Sequence, residues 1–170
     1  MTHRLATEND LPFLKDMYDK VIKNLKQNGI NIYWNEYYPY EEFEEFDIKN
    51  KNLYLLEDEN QIVAAVGIYE SANGSENFNW KTKSPALYIA RLAVAVDFLR
   101  KGYGSKLIET AKQIAKEKSA KSLRLMVVET NKPAILLYEK NGFSKADGLY
   151  SEYSPTNDVF INEIAYETKL

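Results

Sequence analysis

Residues 131–143 read NKPAILLYEKNGF, and this stretch decides the fold more than any other part of the chain. Its middle is apolar and Gly142 follows it, so we predict a short helix from Asn131 to Asn141 that the glycine ends. The run before it, Leu123 to Val128, is short and almost wholly apolar, as is typical of a buried strand. Together the two segments predict a buried strand that leads into a short helix.

A second stretch, FLRKGYGSKL at residues 98–107, follows the apolar run Ala86 to Val96, which we also interpret as a buried strand. It leads into a helix with an apolar stripe at helical spacing, namely Leu107, Ile108, Ala111, Ile114 and Ala115. Its two glycines allow a tight turn, and the first N–H groups of a helix have no intrahelical partner. With the helix dipole, this arrangement predicts an anion site suited to a pyrophosphate.

The side chains of Arg100, Lys101 and Lys106 add positive charge to this loop. The loop is not a P-loop, because its order is Gly-Ser-Lys and the upstream glycine is missing. It is not a dinucleotide fingerprint either, since that pattern needs a third glycine. A Gly-x-Gly turn after a strand is, by itself, also typical of a plain tight turn with solvated lysines.

The apolar pattern predicts further elements on both sides of these stretches. Apolar residues recur every three or four positions from Leu11 to Leu25, after a helix start at Thr7 to Asp10. The other predicted elements are a first strand at His3 to Ala6, a hairpin of Leu53 to Leu56 and Gln61 to Tyr69, a polar loop from Glu70 to Ser84, and two final strands, the last at Val159 to Thr168. The order β-α-(α)-β-β-β-α-β-α-β-β contains no repeat or linker and predicts one domain over residues 1–170.

The composition excludes several classes of catalytic site. The 170-residue chain contains no cysteine and a single histidine, His3. A disulfide, a thiolate zinc site and a cysteine nucleophile are therefore excluded. A Ser-His-Asp triad or a multi-histidine metal site is not expected, so we predict no metal ion. The chemistry must depend on carboxylates, tyrosines, lysines and backbone dipoles.

Charge and hydropathy lead to expectations about partners and location. The formal net charge is -3 and the pI about 5.4, which argues against the concentrated basic face of a nucleic-acid-binding protein. No stretch approaches the roughly 20 consecutive apolar residues of a membrane helix. The first residues are polar and do not form a signal-peptide pattern. We therefore expect a cytoplasmic protein with no membrane partner.

The two quoted stretches, together with the strand end Arg91 to Val94, resemble the GNAT superfamily, the GCN5-related N-acetyltransferases. The specific resemblance runs from Leu87 to Phe143, and the element order extends it over nearly the whole chain. It implies an α/β (α+β) class, the GNAT fold, with a mixed central sheet of about six to seven strands flanked by about four helices. In this fold the fourth and fifth strands splay apart, and the pantetheine arm of CoA lies in the gap.

The resemblance implies acetyl-CoA as the cofactor and assigns residues to it. The implied cofactor-binding residues are Leu92, Ala93 and Val94 for the pantetheine amides, Leu99, Arg100, Lys101, Gly102, Tyr103, Gly104 and Ser105 around the pyrophosphate, and Asn131 and Ala134 along the cofactor arm. Tyr138 matches the family tyrosine that protonates the leaving thiolate. The chain departs from the family at Leu99, where an arginine or glutamine is usual; backbone N–H groups do most of the phosphate binding, so we expect binding to persist.

Because no cysteine nucleophile exists, direct attack of an amine on the thioester is the simplest reaction. A free alkylamine has a pKa of about 10.4, so a carboxylate must take its proton, often through water. Glu129, at the end of the fifth strand, is our first candidate for this base. Many relatives carry a glutamate in the fourth strand, where this chain reads Tyr88-Ile89-Ala90-Arg91. Glu36 or another acid of the segment around it, or bulk water, remain alternatives.

The segment Ile32 to Phe46 alternates aromatic and acidic residues and corresponds to the variable substrate wall of the family. Trp34, Glu36 and Tyr37 are the candidate substrate-binding residues, since aromatic faces and carboxylates bind cations. The alternative is that the aromatics pack on the core while the glutamates face water. The expected partner is a small-molecule or peptide amine, and a homodimer is an option because dimers are common in the family.

Two other functions remain open at this stage. A GNAT-like fold can bind acyl-CoA without catalysis, as a sensor or regulatory module. An enzyme of this fold can also use another acyl group or a hydroxyl acceptor.

Overall fold

The computed structural model describes residues 1–30, 32–35, 38–154 and 159–170. The helices are α1 (Leu11–Gln27), α2 (Tyr40–Glu42, continued by a π-helical turn at Phe43–Asp47), α3 (Tyr103–Glu117) and α4 (Lys132–Lys140). The strands are β1 (Thr2–Leu5), β2 (Leu53–Asp58), β3 (Gln61–Tyr69), β4 (Phe78–Asn79), β5 (Ala86–Val94), β6 (Ser122–Val128), β7 (Ser144–Ser154) and β8 (Val159–Lys169). The hydrogen-bonded order is β1-β2-β3-β5-β6-β8-β7-β4. The α/β (α+β) class is confirmed, and the sheet has more strands than predicted.

The chain divides into two compact units. The first comprises Met1–Ile30, Trp34–Ile68 and Ala90–Ala111, and the second comprises Asn31–Tyr33, Tyr69–Ile89 and Lys112–Leu170. Strand β5 passes from the second unit into the first at Ala90. The single domain over residues 1–170 stays a prediction. No helix within the described ranges is long and apolar enough to cross a membrane.

The first unit is organised by the start of α1 and by its apolar stripe. Asp10 accepts hydrogen bonds from the Thr7 N–H and from both terminal nitrogens of Arg4, each at 2.8 Å. The Arg4 guanidinium lowers the pKa of Asp10 to about 2. The α1 side chains that point inward at helical spacing are Leu14, Met17, Tyr18 and Ile22. The helix start predicted at Thr7 to Asp10 is thereby confirmed.

In the second unit a buried ion pair holds the segment before β5. Arg124 and Glu167 are 5% and 3% exposed, and their Nε and Oε2 atoms lie 3.7 Å apart. Arg124 donates to the Tyr88 hydroxyl and to the Thr82 carbonyl, and its guanidinium lies 4.6 Å from the centroid of the Trp80 ring. Because both charges are buried, these contacts fix the chain where it enters β5.

Strand β4 was not predicted, since its segment reads as a polar loop. Phe78 is its only buried residue, at 5% exposed, and it packs against Ala146 and Ala165. The strand pairs Phe78 with Gly148 of β7, beside a register shift in β7. Gly148 has φ 129, and a Cβ there would lie 2.3 Å from the Asn77 carbonyl oxygen, so only glycine fits this close approach. One buried residue gives no periodicity, which explains the missed strand.

Strands β5 and β6 are the predicted fourth and fifth strands, renumbered because of β4. Their parallel register runs from Ala86↔Ser122 to Tyr88↔Arg124, although β5 continues to Val94. Strand β6 stays paired with β8 up to Val128↔Glu163. The β5–β6 register therefore ends before the last residue of either strand.

Candidate active site

In the first unit, Arg91 bends β5 just before the segment predicted to contact pantetheine. Arg91 has φ 54, a left-handed conformation that costs a residue other than glycine about 1–3 kcal/mol. The Tyr18 hydroxyl donates a 2.5 Å hydrogen bond to the Arg91 carbonyl, and Tyr18 is fully buried. The bend changes the direction of the backbone that leads into Leu92, Ala93 and Val94. Ala93 packs in the core of this unit.

Two residues hold the side chain of Arg91. Tyr38 belongs to the predicted substrate wall, and Asp47 is the residue that follows this wall. One guanidinium nitrogen donates to Asp47 at 2.9 Å, and another donates to the Tyr38 hydroxyl at 3.0 Å. The Asp47 side chain is 0% exposed and that of Arg91 is 10% exposed. Burial raises the pKa of Tyr38, and the guanidinium partly opposes the rise. Sequence reasoning missed this buried ion pair; the signal was an arginine inside an apolar strand.

The glycine loop lies at the start of α3, as predicted. Gly102 has φ 90, and its carbonyl accepts the hydrogen bond of the Lys106 N–H at 3.1 Å. The N–H groups of Tyr103 and Gly104 belong to the first helical turn, where N–H groups lack intrahelical partners. Arg100 and Lys101 are exposed. The loop therefore has the helix dipole and the exposed cations that a pyrophosphate would need.

In the second unit, Asn131 begins α4. Its side-chain oxygen accepts a 3.3 Å hydrogen bond from the Ala134 N–H, so Asn131 is the N-cap of the helix. Ala134 is half-buried in the first turn. The cofactor contacts of both residues stay predictions, and the cap contact adds a structural role for Asn131.

Tyr138 lies on the inner side of α4. It is 8% exposed, and its ring centroid is 5.8 Å from that of Phe143. Burial raises the pKa of Tyr138 above the usual tyrosine range, so its hydroxyl stays protonated at neutral pH. Within the described ranges no residue forms a hydrogen bond with this hydroxyl. The ring is buried, but the hydroxyl oxygen is not among the fully buried atoms, so a ligand can reach it.

Glu129, the predicted base, takes part in a polar chain at the end of β6. Its carboxylate accepts a 2.8 Å hydrogen bond from the side-chain amide of Asn162. The Ser151 hydroxyl donates a 2.8 Å hydrogen bond to the side-chain oxygen, Oδ1, of the same Asn162 amide. Asn162 and Ser151 are opposite each other on β8 and β7, so Glu129 shares their face of the sheet.

Glu163 is a carboxyl that sequence reasoning missed. It lies opposite Val128, the last residue of β6, and opposite Tyr150 of β7. Burial raises its pKa to about 7, and the charge of Glu152 adds to the rise. Among the described residues, none forms a hydrogen bond or salt bridge with its carboxyl. In the sequence it resembles any acid in an alternating strand, and only the burial distinguishes it.

The predicted substrate wall is described only in part. Trp34 packs against the core of the first unit, with its ring 5.2 Å from that of Tyr18. Phe43 is 1% exposed and its ring lies 4.9 Å from the same tyrosine. These two aromatics therefore contribute to the core, which was the alternative reading of the segment. Glu36 and Tyr37 lie outside the described residues.

Comparison with known proteins identifies the chain as an acyl-CoA-dependent N-acetyltransferase. The model of the acetyltransferase (GNAT) family matches residues 16–143, so the chain belongs to this family. A Bacillus subtilis protein named "Putative phosphinothricin acetyltransferase YwnH" is 31% identical over 147 residues, which are 85% of each chain.

Solved structures show the same fold. A ribosomal-protein-alanine N-acetyltransferase from Brucella melitensis superposes with a TM-score of 0.75 at 20% identity, over 100% of both chains. A Salmonella typhimurium acetyltransferase, solved with its cofactor acetyl-CoA, has a TM-score of 0.71 at 14% identity. The match covers 100% of this chain and 94% of the Salmonella chain.

Proposed function

We propose that this acetyltransferase moves the acetyl group of acetyl-CoA to a primary amine by direct attack in a ternary complex. The observation that carries the proposal is Tyr138, whose ring is buried and whose hydroxyl has no hydrogen-bond partner among the described residues. Such a hydroxyl can donate to the sulfur of a bound thioester as the C–S bond breaks. GNAT acetyltransferases act on small-molecule or peptide amines, and the named function of the Bacillus relative adds phosphinothricin to the acceptors to be tested.

In this proposal the cofactor is held mainly by backbone groups. Leu92, Ala93 and Val94 bind the pantetheine amides, and the loop from Leu99 to Ser105 binds the pyrophosphate through the start of α3. Arg100 and Lys101 add charge from the rim. These residues fit an anionic cofactor, because the loop combines N–H donors with exposed cations.

Thermal unfolding tests the cofactor assignment. Acetyl-CoA or CoA at about 100 times its dissociation constant stabilises the folded state by roughly 2.7 kcal/mol. For a chain of this length we expect the Tm to rise by about 5–10 °C. ATP and NAD at the same concentration are the controls and should leave the Tm nearly unchanged. No shift with either CoA ligand would contradict the proposal.

Thiol release with a panel of amines then tests the reaction. CoA should appear only when acetyl-CoA and an acceptor amine are both present. A Tm shift without thiol release from any amine would instead indicate an acyl-CoA-binding module. Faster turnover of longer acyl-CoAs than of acetyl-CoA would show that the enzyme transfers an acyl group other than acetyl.

Gly104→Glu is expected to weaken acetyl-CoA binding by at least 100-fold. The added carboxylate lies in the first turn of α3, where the pyrophosphate would bind, so bulk and like charge both oppose binding. An acid in the first helical turn favours the helix, so folding should be retained. The Kd of acetyl-CoA, measured by calorimetry, checks the result, and Gly104→Ala is the matched control without charge. A normal Kd in Gly104→Glu would show that the loop is not the pyrophosphate site.

A further inference from the structure

The two candidate carboxyls at the end of β6 lie on opposite faces of the sheet. Consecutive residues of a strand point to opposite faces, so Asn162 and Glu163 face away from each other. Glu129 is hydrogen-bonded to the Asn162 side chain and therefore shares its face. Glu163 lies on the other face, with its cross-strand neighbours Val128 and Tyr150.

Tyr33 identifies which of these faces belongs to the acceptor. Tyr33 belongs to the predicted substrate wall, and its hydroxyl donates a 3.0 Å hydrogen bond to the Ile161 carbonyl of β8. Burial raises the pKa of Tyr33, and the charges of Glu163 and Glu152 add to the rise. The Tyr33 hydroxyl therefore lies near Glu163 and Glu152, two acids that share one face of the sheet.

We propose that Glu163 takes the proton from the acceptor amine on this face, between Tyr33 and Tyr150. The inference rests on the proposed amine acetylation. Three observations carry it: the position opposite the last residue of β6, the nearby Tyr33 of the substrate wall, which is hydrogen-bonded to the Ile161 carbonyl of the same strand, and a half-buried carboxyl with no donor among the described residues. A cationic amine supplies the missing donor and charge, which selects acceptors that are ammonium ions in solution.

The proton balance of the reaction is complete with this group. The ammonium first gives one proton to the Glu163 carboxylate and becomes a neutral amine. Its nitrogen forms the C–N bond to the acetyl carbon, and the C–S bond then breaks. A second proton leaves the nitrogen as the amide forms. Tyr138 gives its hydroxyl proton to the CoA sulfur and is reprotonated by one of the two protons from the nitrogen, while Glu163 passes the other to solvent.

The charge state of Glu163 depends on the groups that face it. From β7 these are Tyr150 and Glu152, and from the segment before α2 it is Tyr33. Glu76 acts on Tyr150 from the turn before β4. Because Glu152 is an acid, it holds Glu163 protonated to higher pH than burial alone would.

The test compares pH profiles of kcat/KM for the amine at saturating acetyl-CoA. The wild-type profile should rise through an acid limb at about pH 7, as Glu163 ionises in the free enzyme. Glu163→Gln should lower kcat by about 100-fold or more and lose this limb. The remaining rate should rise only as the ammonium ion of the acceptor loses its proton in solution. Glu152→Gln should keep the activity and move the limb to lower pH, because one cause of the raised pKa is removed. Asp147→Asn, an exposed acid of β7, should leave the profile unchanged.

The outcomes separate the inference from the proposed function. A wild-type protein that acetylates no amine overturns the function itself. Wild-type activity with an unchanged rate and limb in Glu163→Gln overturns the role of Glu163, and a lost limb in Glu129→Gln instead would assign the base to the other face. The Tm shift with acetyl-CoA, measured on each variant, shows that a lost rate does not come from lost folding.

Discussion

Replacing Tyr138 with phenylalanine is expected to lower kcat about 100-fold while acetyl-CoA binds with nearly unchanged affinity. The sulfur of CoA leaves with a developing negative charge, and a thiol has a pKa of about 8.5. The Tyr138 hydroxyl, which burial keeps protonated, donates its hydrogen bond to that charge only as the C–S bond breaks. An interaction that exists mainly in the transition state lowers kcat and kcat/KM together when it is removed.

The controls for this variant come from the same helix and its neighbours. Phenylalanine keeps the ring that packs against Phe143, so the Tm without ligand should change little. Tyr166→Phe removes another buried tyrosine hydroxyl, one that donates to Glu139 of α4 at 2.9 Å. Its kcat should remain at the wild-type value. Equal kcat in Tyr138→Phe and wild type would remove the tyrosine from the reaction and leave water as the proton donor.

The elements that carry the family pattern could be predicted because their signals are local. The stripe of α3, the apolar run of β6 and the glycine that follows α4 each lie within a window of sequence, and all three elements are confirmed. Strand β4 could not be predicted, because it consists of two residues whose pairing with β7 depends on the bulge at Gly148. The buried residues that its one apolar side chain, Phe78, packs against are Ala146 and Ala165, which lie far away in the sequence.

The parts of the site that the sequence missed depend on contacts between distant residues. Arg91 and Asp47 are 44 residues apart, and the Tyr33 hydroxyl reaches a carbonyl 128 residues away. No periodicity or spacing rule connects such positions. A carboxyl in an alternating strand is solvated in most proteins, and only the neighbours from β6, β7 and the substrate wall make Glu163 different.

Asp47→Asn is expected to lower the free energy of unfolding by about 3–5 kcal/mol, because it removes a buried carboxylate charge that pairs with the buried Arg91 guanidinium. The Asp47 side chain is fully buried, so water cannot replace the lost charge. The guanidinium also holds the segment around Tyr38 against the bent part of β5. Urea unfolding of the variant and the wild type gives the difference directly, provided that the m-values agree.

The exposed pair Lys20–Asp16 is the matched control, since it is the same kind of contact in the same unit. Its side chains are 57% and 59% exposed, so Asp16→Asn should cost less than about 0.5 kcal/mol. The double variant Asp47→Asn with Arg91→Met should be more stable than Asp47→Asn alone, because it removes the buried positive charge together with its carboxylate. If Asp47→Asn costs no more than Asp16→Asn, the buried pair does not stabilise this unit. If instead the double variant keeps its stability but binds acetyl-CoA more weakly, the pair acts mainly by fixing the bend that leads into Leu92.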